Sequence, residues 1–335
     1  MKRSVSHRYA AVIVFVTAMF VAADLVMLPR SDVTFSPSNW IYLLKAVPLV
    51  AFFFAAARIV EMRRPRFPDA MQAFLARAVG SMENIATFLM LFIPLSVASF
   101  LFMYLAANTT RPLMDAYLAS FDAAIGFNWI RAVEFANMVP SVATVMVFCY
   151  AALAYEVPLV FLVHSIGGGR ERMLELVALI AISGLMTGVL MLAVPAAGAY
   201  SFHAPDRGVF SHFTGVGGLA HLSTLAQLRG STPFTFVIGN TIGLTSFPSF
   251  HTALGIIITY NLRRAILFWP VAAINAIMIL ATVPEGGHHF ADVLAGATVA
   301  LVSIAAMLRA VSAEPQAEIR QSAVSNSAAP FDGAK

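Results

Sequence analysis

Long apolar runs of about twenty residues recur along this chain from its amino terminus to about residue 310. The stretch from Tyr9 to Leu28 holds one charged residue, Asp24, and the stretch from Phe290 to Leu308 holds only Asp292. A helix of about 20 residues is about 30 Å long, which matches the hydrocarbon core of a bilayer. The runs therefore predict membrane-spanning helices.

Composition supports the prediction of membrane-spanning helices, because the chain has too few charged residues for the surface of a water-soluble domain. Charged residues make up 11% and apolar residues 59% of the sequence, whereas soluble domains have about 25% and about 45–50%. Spanning β-strands would alternate apolar and polar residues, but these runs are unbroken. We predict an all-α, polytopic bundle of about eight spans. They lie near 9–28, 40–60, 82–107, 139–163, 173–199, 249–262, 265–283 and 290–310.

Basic residues set the predicted orientation, since Lys and Arg concentrate in cytoplasmic loops. With the amino terminus inside, fifteen of the 21 Lys and Arg residues fall on the inner side. These are Lys2, Arg3, Arg8, Arg58, Arg63, Arg64, Arg66, Arg77, Arg170, Arg172, Arg263, Arg264, Arg309, Arg320 and Lys335. Both termini are predicted to be cytoplasmic, in the cell (inner) membrane. The basic residues form no stripe with interleaved aromatics, so nucleic acid is not an expected partner.

Three regions follow from this pattern. We predict N-terminal transmembrane helices over 1–107, a catalytic helical bundle over 108–311 and a disordered cytoplasmic tail over 312–335. Within the second region, Asn108 to Arg131 is interpreted as an amphipathic pair of interfacial helices anchored by Trp129.

One candidate site is the segment from Ser246 to Thr252, which opens the predicted sixth span. Pro248 and Ser249 are typical helix-start residues, and Ser249 is expected to cap the first turn. Free backbone N–H groups and the helix dipole beside His251 then favour phosphate binding. A capped helix start with an interfacial histidine would explain the same residues.

A second candidate site is the segment from Pro284 to Asp292, which opens the last span. Four residues separate His288 from Asp292, so on a helix the two side chains share a face. The carboxylate can accept the Nδ1 proton of His288 and leave Nε2 as a nucleophile. Gly286 and Gly287 are expected to let a phosphate approach the backbone closely. His289 is expected to be a structural neighbour or, at three residues' separation, an alternative partner of Asp292.

The two segments together resemble the type 2 phosphatidic acid phosphatase superfamily. The sequence Ser-Phe-Pro-Ser-Phe-His at 246–251 and the sequence Gly-His-His-Phe-Ala-Asp at 287–292 carry the resemblance. Their form is most similar to the inositol-phosphorylceramide synthase (inositolphosphotransferase) branch and its bacterial relatives. The Asp122 to Trp129 and Leu228 to Gly230 segments are also similar to that branch.

The resemblance implies a division of labour among three residues. His288 would attack phosphorus to form a phosphohistidine, Asp292 would orient it, and His251 would protonate the departing alkoxide. A membrane lipid would be the substrate, and water or an alcohol would be the acceptor. The active site would lie on the outer (periplasmic) face. No cofactor and no metal are expected, and the oligomeric state is unknown.

The chain departs from the superfamily at its phosphate clamp, because it lacks the Lys-x6-Arg-Pro motif of the phosphatase branch. Tyr104 stands where that lysine would be, in front of Arg111-Pro112. The loop between the fifth and sixth predicted spans leaves Arg207 and Arg229 as candidates, and we favour Arg229. Ser249 and Gly287 complete the predicted phosphate-binding set.

The loop histidines His203, His212 and His221, with Asp206, could in principle hold a metal ion. Their spacing is not that of a typical site, and solvated histidines are the preferred reading.

Two alternatives to a phosphotransferase remain open. One is a plain lipid phosphate phosphatase or diphosphatase. The other is a catalytically silent lipid-binding or transport protein, although no pair of broken spans in corresponding halves supports transport.

Overall fold

Helices account for most of the architecture. The computed structural model describes residues 2–312, with side chains from residue 5 to residue 311. The predicted tail therefore lies, except for its first residue, outside the described part. The helices are α1 Lys2–Met27, α2 Ser38–Arg63, α3 Asp69–Ala107, α4 Asp115–Ala124, α5 Trp129–Asn137, α6 Pro140–Ile166, α7 Arg170–Ala193, α8 Ala199–His203, α9 Val216–Leu219, α10 Leu222–Leu228, α11 Phe250–Asn261, α12 Phe268–Ala281 and α13 Phe290–Ser312.

Fewer helices than predicted are long enough to span a membrane. Six helices within residues 2–312 are long and apolar enough to cross a bilayer: α1, α2, α3, α6, α7 and α13. Helices α11 and α12 have 12 and 14 residues, which is about 18 and 21 Å of helix. Both fall short of the roughly 30 Å hydrocarbon core. An integral membrane protein is supported, and the count of eight spans is not confirmed.

Three predicted span boundaries differ from the helix ends by more than a turn. Helix α1 begins at Lys2 rather than near residue 9. Helix α3 begins at Asp69 rather than near residue 82 and continues for 39 residues. Helix α7 ends at Ala193 rather than near residue 199. Pro195 follows immediately, and a proline disfavours helical backbone at the residue before it.

The core mixes the N-terminal helices with the later ones. Ile13 and Phe20 of α1 and Leu95 of α3 share one buried cluster with Met173 of α7 and Ile257 of α11. The first 107 residues are thus packed into the same bundle as the rest. The separate domain boundary at residue 107 stays a prediction.

A small parallel sheet ties the first loop to the segment that precedes α11. Strand β1, Val33–Phe35, pairs with β2, Phe234–Phe236. Asn39 strengthens the junction, because its amide donates to the carbonyl of Phe236 at 2.8 Å and its oxygen accepts from the amide of Ile238 at 2.8 Å. This end of the bundle also holds the first residues of α11 and α13, where both candidate motifs lie.

Candidate active site

Ser249 starts α11 in the predicted way. It is the N-cap, and its hydroxyl accepts from the amide of Thr252. Its own amide donates to the backbone carbonyl of Asp292 at 2.9 Å. The predicted cap is confirmed, and the start of α11 is joined directly to the start of α13.

A glycine turn sets the position of His288. Gly287 has φ +66°, a backbone conformation that favours glycine. The amide of His288 donates to Thr282 at 3.1 Å, and its carbonyl accepts from the indole of Trp129 at 3.0 Å. Trp129 is buried, so its prediction as an interfacial anchor is wrong. Its indole holds the loop that precedes α13 instead.

The predicted contact between His288 and Asp292 is present. His288 Nδ1 lies 3.2 Å from Asp292 Oδ2. Helix α13 begins only at Phe290, so His288 reaches the carboxylate from the loop and not from a helix face as expected. The same oxygen accepts from the backbone amide of His289 at 2.9 Å and from the hydroxyl of Ser246 at 3.4 Å. With Nδ1 engaged, Nε2 is the ring nitrogen left for a substrate.

His251 faces His288 across a gap. The centroids of the two rings are 6.4 Å apart, and the planes are inclined by 59°. Tyr150 of α6 stacks on the other side of His251 at 4.6 Å and 13°. The two motifs therefore bring their histidines together, with space between the rings for one small group.

Both histidines line a cavity of about 300 Å³ inside the bundle. His221, Ser246, Thr245 and Gly286 complete its polar end. The rest of the wall is largely apolar. Among the described residues that line it, none is Lys or Arg.

The family follows from a comparison with protein-family models. The PAP2 superfamily model matches residues 116–306, which is more than half of the 335-residue chain. The chain belongs to the PAP2 superfamily. Comparisons with curated proteins and with solved structures found no significant match. Members of this superfamily are typically phosphatases or related phosphoesterases, and the matched segment contains both motifs.

Two further carboxylates, of Asp115 and Asp122, lie beside the superfamily motifs, and the sequence did not predict their role. Asp122 of α4 accepts from the amides of Phe290 and Ala291 at 2.9 and 2.8 Å, so it caps α13. Asp115, seven residues earlier on α4, accepts from the amides of Ala197 and Gly198 at 2.9 and 2.8 Å. Both aspartates lie in the segment predicted to be interfacial, but both are buried.

His289 lies between these two aspartates. Its Nε2 is 3.3 Å from Asp115 Oδ1, and its Nδ1 is 3.8 Å from Asp122 Oδ2. The side chain is fully buried. His289 is thus a structural neighbour whose backbone amide, not its imidazole, contacts Asp292. The sequence could have indicated this pair, because Asp115 and Asp122 are seven residues apart and therefore lie on one face of a helix.

The predicted phosphate-binding residues do not gather at the cavity. Arg207 is exposed and donates to the carbonyl of Phe213 at 2.9 Å. Arg229 donates through Nη2 to the carbonyl of Arg111, while its buried Nη1 has no hydrogen-bond partner among the described residues. Ser249 is fully buried behind the helix start. At Gly287, Tyr200 and Gly218 occupy the space that a side chain would fill, and Gly286 lines the cavity instead.

The loop histidines are dispersed. His203 stacks on Trp129, with ring centroids 5.1 Å apart, and His212 Nδ1 lies 2.9 Å from the carbonyl of Asn137. His221 is buried, with Nε2 3.0 Å from the carbonyl of Ala197. The prediction that the loop histidines are solvated is therefore wrong for His221. Within residues 2–312, no three His, Cys, Asp or Glu side chains are placed to hold a metal ion.

Burial controls the protonation of His288. The pKa of His288 is lowered from 6.5 to about 4, mainly by burial; a hydrogen bond to the Ser246 backbone carbonyl opposes this shift, and the neighbouring His289 adds to it. Removing the imidazolium from water disfavours the charged form. His288 is therefore neutral at pH 7, the state in which a ring nitrogen has a lone pair to donate.

Proposed function

We propose that this protein is a membrane lipid phosphotransferase that works through a phosphohistidine on His288. The observation that carries the proposal is the pair of imidazoles facing each other in a cavity, with Asp292 holding Nδ1 of one of them. A nucleophile with a fixed tautomer and a proton donor on the opposite side are what displacement at phosphorus requires.

The proposed reaction has two balanced steps. The lone pair of His288 Nε2 forms a bond to phosphorus, and the bond from phosphorus to the lipid oxygen breaks. His251 gives its proton to the departing alkoxide. In the second step His251 takes a proton from the acceptor hydroxyl, whose oxygen bonds to phosphorus and releases His288.

Charge on the phosphate needs stabilisation, and the free N–H groups of the first turn of α11 are the nearest candidates. Arg229 remains our proposed clamp because its buried Nη1 has no hydrogen-bond partner within the part of the chain that the structure describes. To act, it would have to leave the carbonyl of Arg111 and turn toward the cavity. Arg207 is the weaker proposal, since its guanidinium already packs 4.6 Å from the centroid of the Phe210 ring.

The acceptor separates two candidate functions. The form of the motifs favours an alcohol acceptor, as in inositolphosphotransferases. The typical activity of the superfamily favours water, which would make the protein a lipid phosphate phosphatase. Purified protein should be given a phosphorylated lipid with and without inositol. Inositol phosphate, formed when the inositol hydroxyl takes the phosphoryl group from His288, supports transfer, and release of free phosphate alone supports hydrolysis.

His288 is tested by trapping the covalent intermediate. With a lipid labelled at phosphorus, the wild-type protein should retain acid-labile label after rapid quenching, and His288→Ala should retain none. His212→Ala is a matched control, because this exposed histidine lies outside the cavity. Label that persists in His288→Ala would place the nucleophile elsewhere.

The orientation is part of the proposal. Helix alternation places Arg170, Arg263 and Arg309 at the end of the bundle opposite the two motifs. The positive-inside rule then puts the motifs on the outer face of the inner membrane. Single cysteines near Asp206 should react with an impermeant thiol reagent on intact cells, and cysteines near Arg170 should not. The reverse pattern would overturn the orientation.

A further inference from the structure

The cavity continues from the histidines into the apolar interior of the bundle. We propose that this extension holds the apolar chain of the substrate, and that α1 and α3, which lie outside the family match, select the length of that chain. The proposal rests on the proposed function, since it takes the phosphate end to lie at His288.

One face of α3 forms the longest wall of this extension. Its lining residues are spaced by three and four positions, as expected for a single helix face. They are Phe92, Leu95, Ser96, Ser99, Phe100 and Met103. From Phe92 to Met103 is eleven residues, or about 16 Å along the helix axis. The wall is therefore long enough for an extended chain and not only for a head group.

Four other helices also contribute residues to the wall of the extension. Phe20 comes from α1, Val157 from α6, Gly184 from α7 and Leu254 from α11. Leu254 lies one turn beyond His251 along α11, and Val157 lies two turns beyond Tyr150 along α6. The cavity thus becomes more apolar with distance from the histidines.

The wall of the extension is mostly apolar. The hydroxyl of Ser99 donates to the carbonyl of Ser96 within its own helix, at 3.1 Å. Among the described residues, no ionisable side chain lines the cavity beyond the histidine end. A hydrocarbon chain is the ligand that such a wall binds without leaving polar groups unpaired.

Lateral entry at Phe100 is part of the proposal. This side chain lines the cavity and is 36% exposed. A lipid could therefore enter sideways from the membrane with its head group directed to His288. If the apolar chain of the substrate stayed in the bilayer during the reaction, the bundle would need no apolar wall beside the histidines.

The test uses Gly184, where the structure leaves room for a side chain. A Cβ built at Gly184 meets nothing within 4 Å, so Gly184→Leu should fill the cavity without a backbone clash. Gly80→Leu is the matched control, because Gly80 is also helical, also has open space at its Cβ and lies outside the cavity. Activity is measured as kcat/KM on the phosphate monoesters of hexadecanol and hexanol.

We expect Gly184→Leu to lower the ratio of kcat/KM for the long ester to that for the short ester at least tenfold, and Gly80→Leu to leave the ratio within twofold. A ratio unchanged in Gly184→Leu, or lowered equally in Gly80→Leu, overturns the chain site. If wild-type protein turns over neither ester, the proposed function fails instead.

A binding measurement separates these two failures. Wild-type protein is photolabelled with hexadecyl phosphate that carries a diazirine at the terminal carbon, with and without excess unlabelled hexadecyl phosphate. Competed label on peptides that contain Phe20 or Phe92 supports the site even without turnover. Label confined to lipid-facing residues such as Trp40, or not competed, overturns it.

Discussion

Two buried polar clusters lie at opposite ends of the bundle, and they differ in how completely their groups are paired. At the end with the basic loops, Glu175 of α7 binds Arg172 at 2.8 Å and Arg263 at 2.9 Å. Asn261 donates to the same carboxylate at 3.3 Å and lies 2.7 Å from Nε2 of His164. Both oxygens of Glu175 are satisfied, so this cluster holds helices together and has no open position.

The cluster at the other end is under-paired. It contains Asp115, Asp122 and Asp292, and among the described residues their salt-bridge partners are His288 and His289 rather than arginine or lysine. Asp292 Oδ1 and His289 Nδ1 have no hydrogen-bond partner among the described residues, and His288 faces a cavity. Buried groups without partners are costly, so they persist where they have a use. The contrast predicts that the same change of acid to amide affects chemistry at one end and stability at the other.

Asp292→Asn should have the largest effect. An amide can donate to Nδ1 of His288, which forces the wrong tautomer; the equivalent change in a serine-protease triad lowers turnover about 10⁴-fold. We expect a loss of this order in kcat with little change in melting temperature. Turnover within tenfold of wild type would show that Asp292 is structural, like Glu175.

Asp122→Asn should have an intermediate effect. Asparagine has one acceptor oxygen in place of two, so one of the amides of Phe290 and Ala291 loses its partner, and α13 should start less rigidly. Small misplacements of reacting groups can cost about 10²-fold in rate, and a lost helix cap costs about 1 kcal/mol. We expect a 10- to 100-fold lower kcat, with the phosphoenzyme still formed.

Asp69→Asn is the control for this change. Asp69 also lies in the first turn of a helix, but it is exposed and remote from the site. It should behave as wild type. Equal losses in both variants would mean that α13 is not positioned through Asp122.

The pH profile tests the buried state of His288. Its pKa is lowered to about 4, and attack needs the neutral ring, so activity should fall only as pH drops through that region. A histidine with the ordinary pKa of 6.5 would lose about tenfold by pH 5.5. We expect kcat/KM on a phosphodiester lipid, whose charge is constant here, to rise and not to fall from pH 7 to 5.5, because burial lowers the pKa of His251 to about 3 and the proposed acid must be protonated to act. An acid limb near 6.5 would mean that His288 is solvated.

Glu175→Gln should have the smallest effect on activity. The glutamine loses both ion pairs, but Arg172 and Arg263 are partly exposed, and solvent screens such pairs. We expect a destabilisation of about 1–3 kcal/mol, seen as a lower melting temperature in detergent, and a kcat within about twofold of wild type. A large loss of kcat would break the contrast between the two clusters.

The local sequence determined the helical membrane architecture and the position of the two motifs at the starts of α11 and α13. Apolar runs, the Ser249 cap and the four-residue separation of His288 and Asp292 act over a few residues, so they could be predicted without the fold. The number of spans could not, because α11 and α12 are apolar but short. Whether such helices cross a bilayer depends on their neighbours.

Only the tertiary structure decided which residues support the motifs. His288 and His289 are chemically identical neighbours, and the turn at Gly287 directs one to Asp292 and the other to Asp115 and Asp122. Asp122 is 168 residues from Phe290 along the chain, so no local pattern predicts their contact. The same holds for Trp129 and for the α3 wall of the cavity. Periodicity shows that a face is buried, but its partner is fixed by long-range packing.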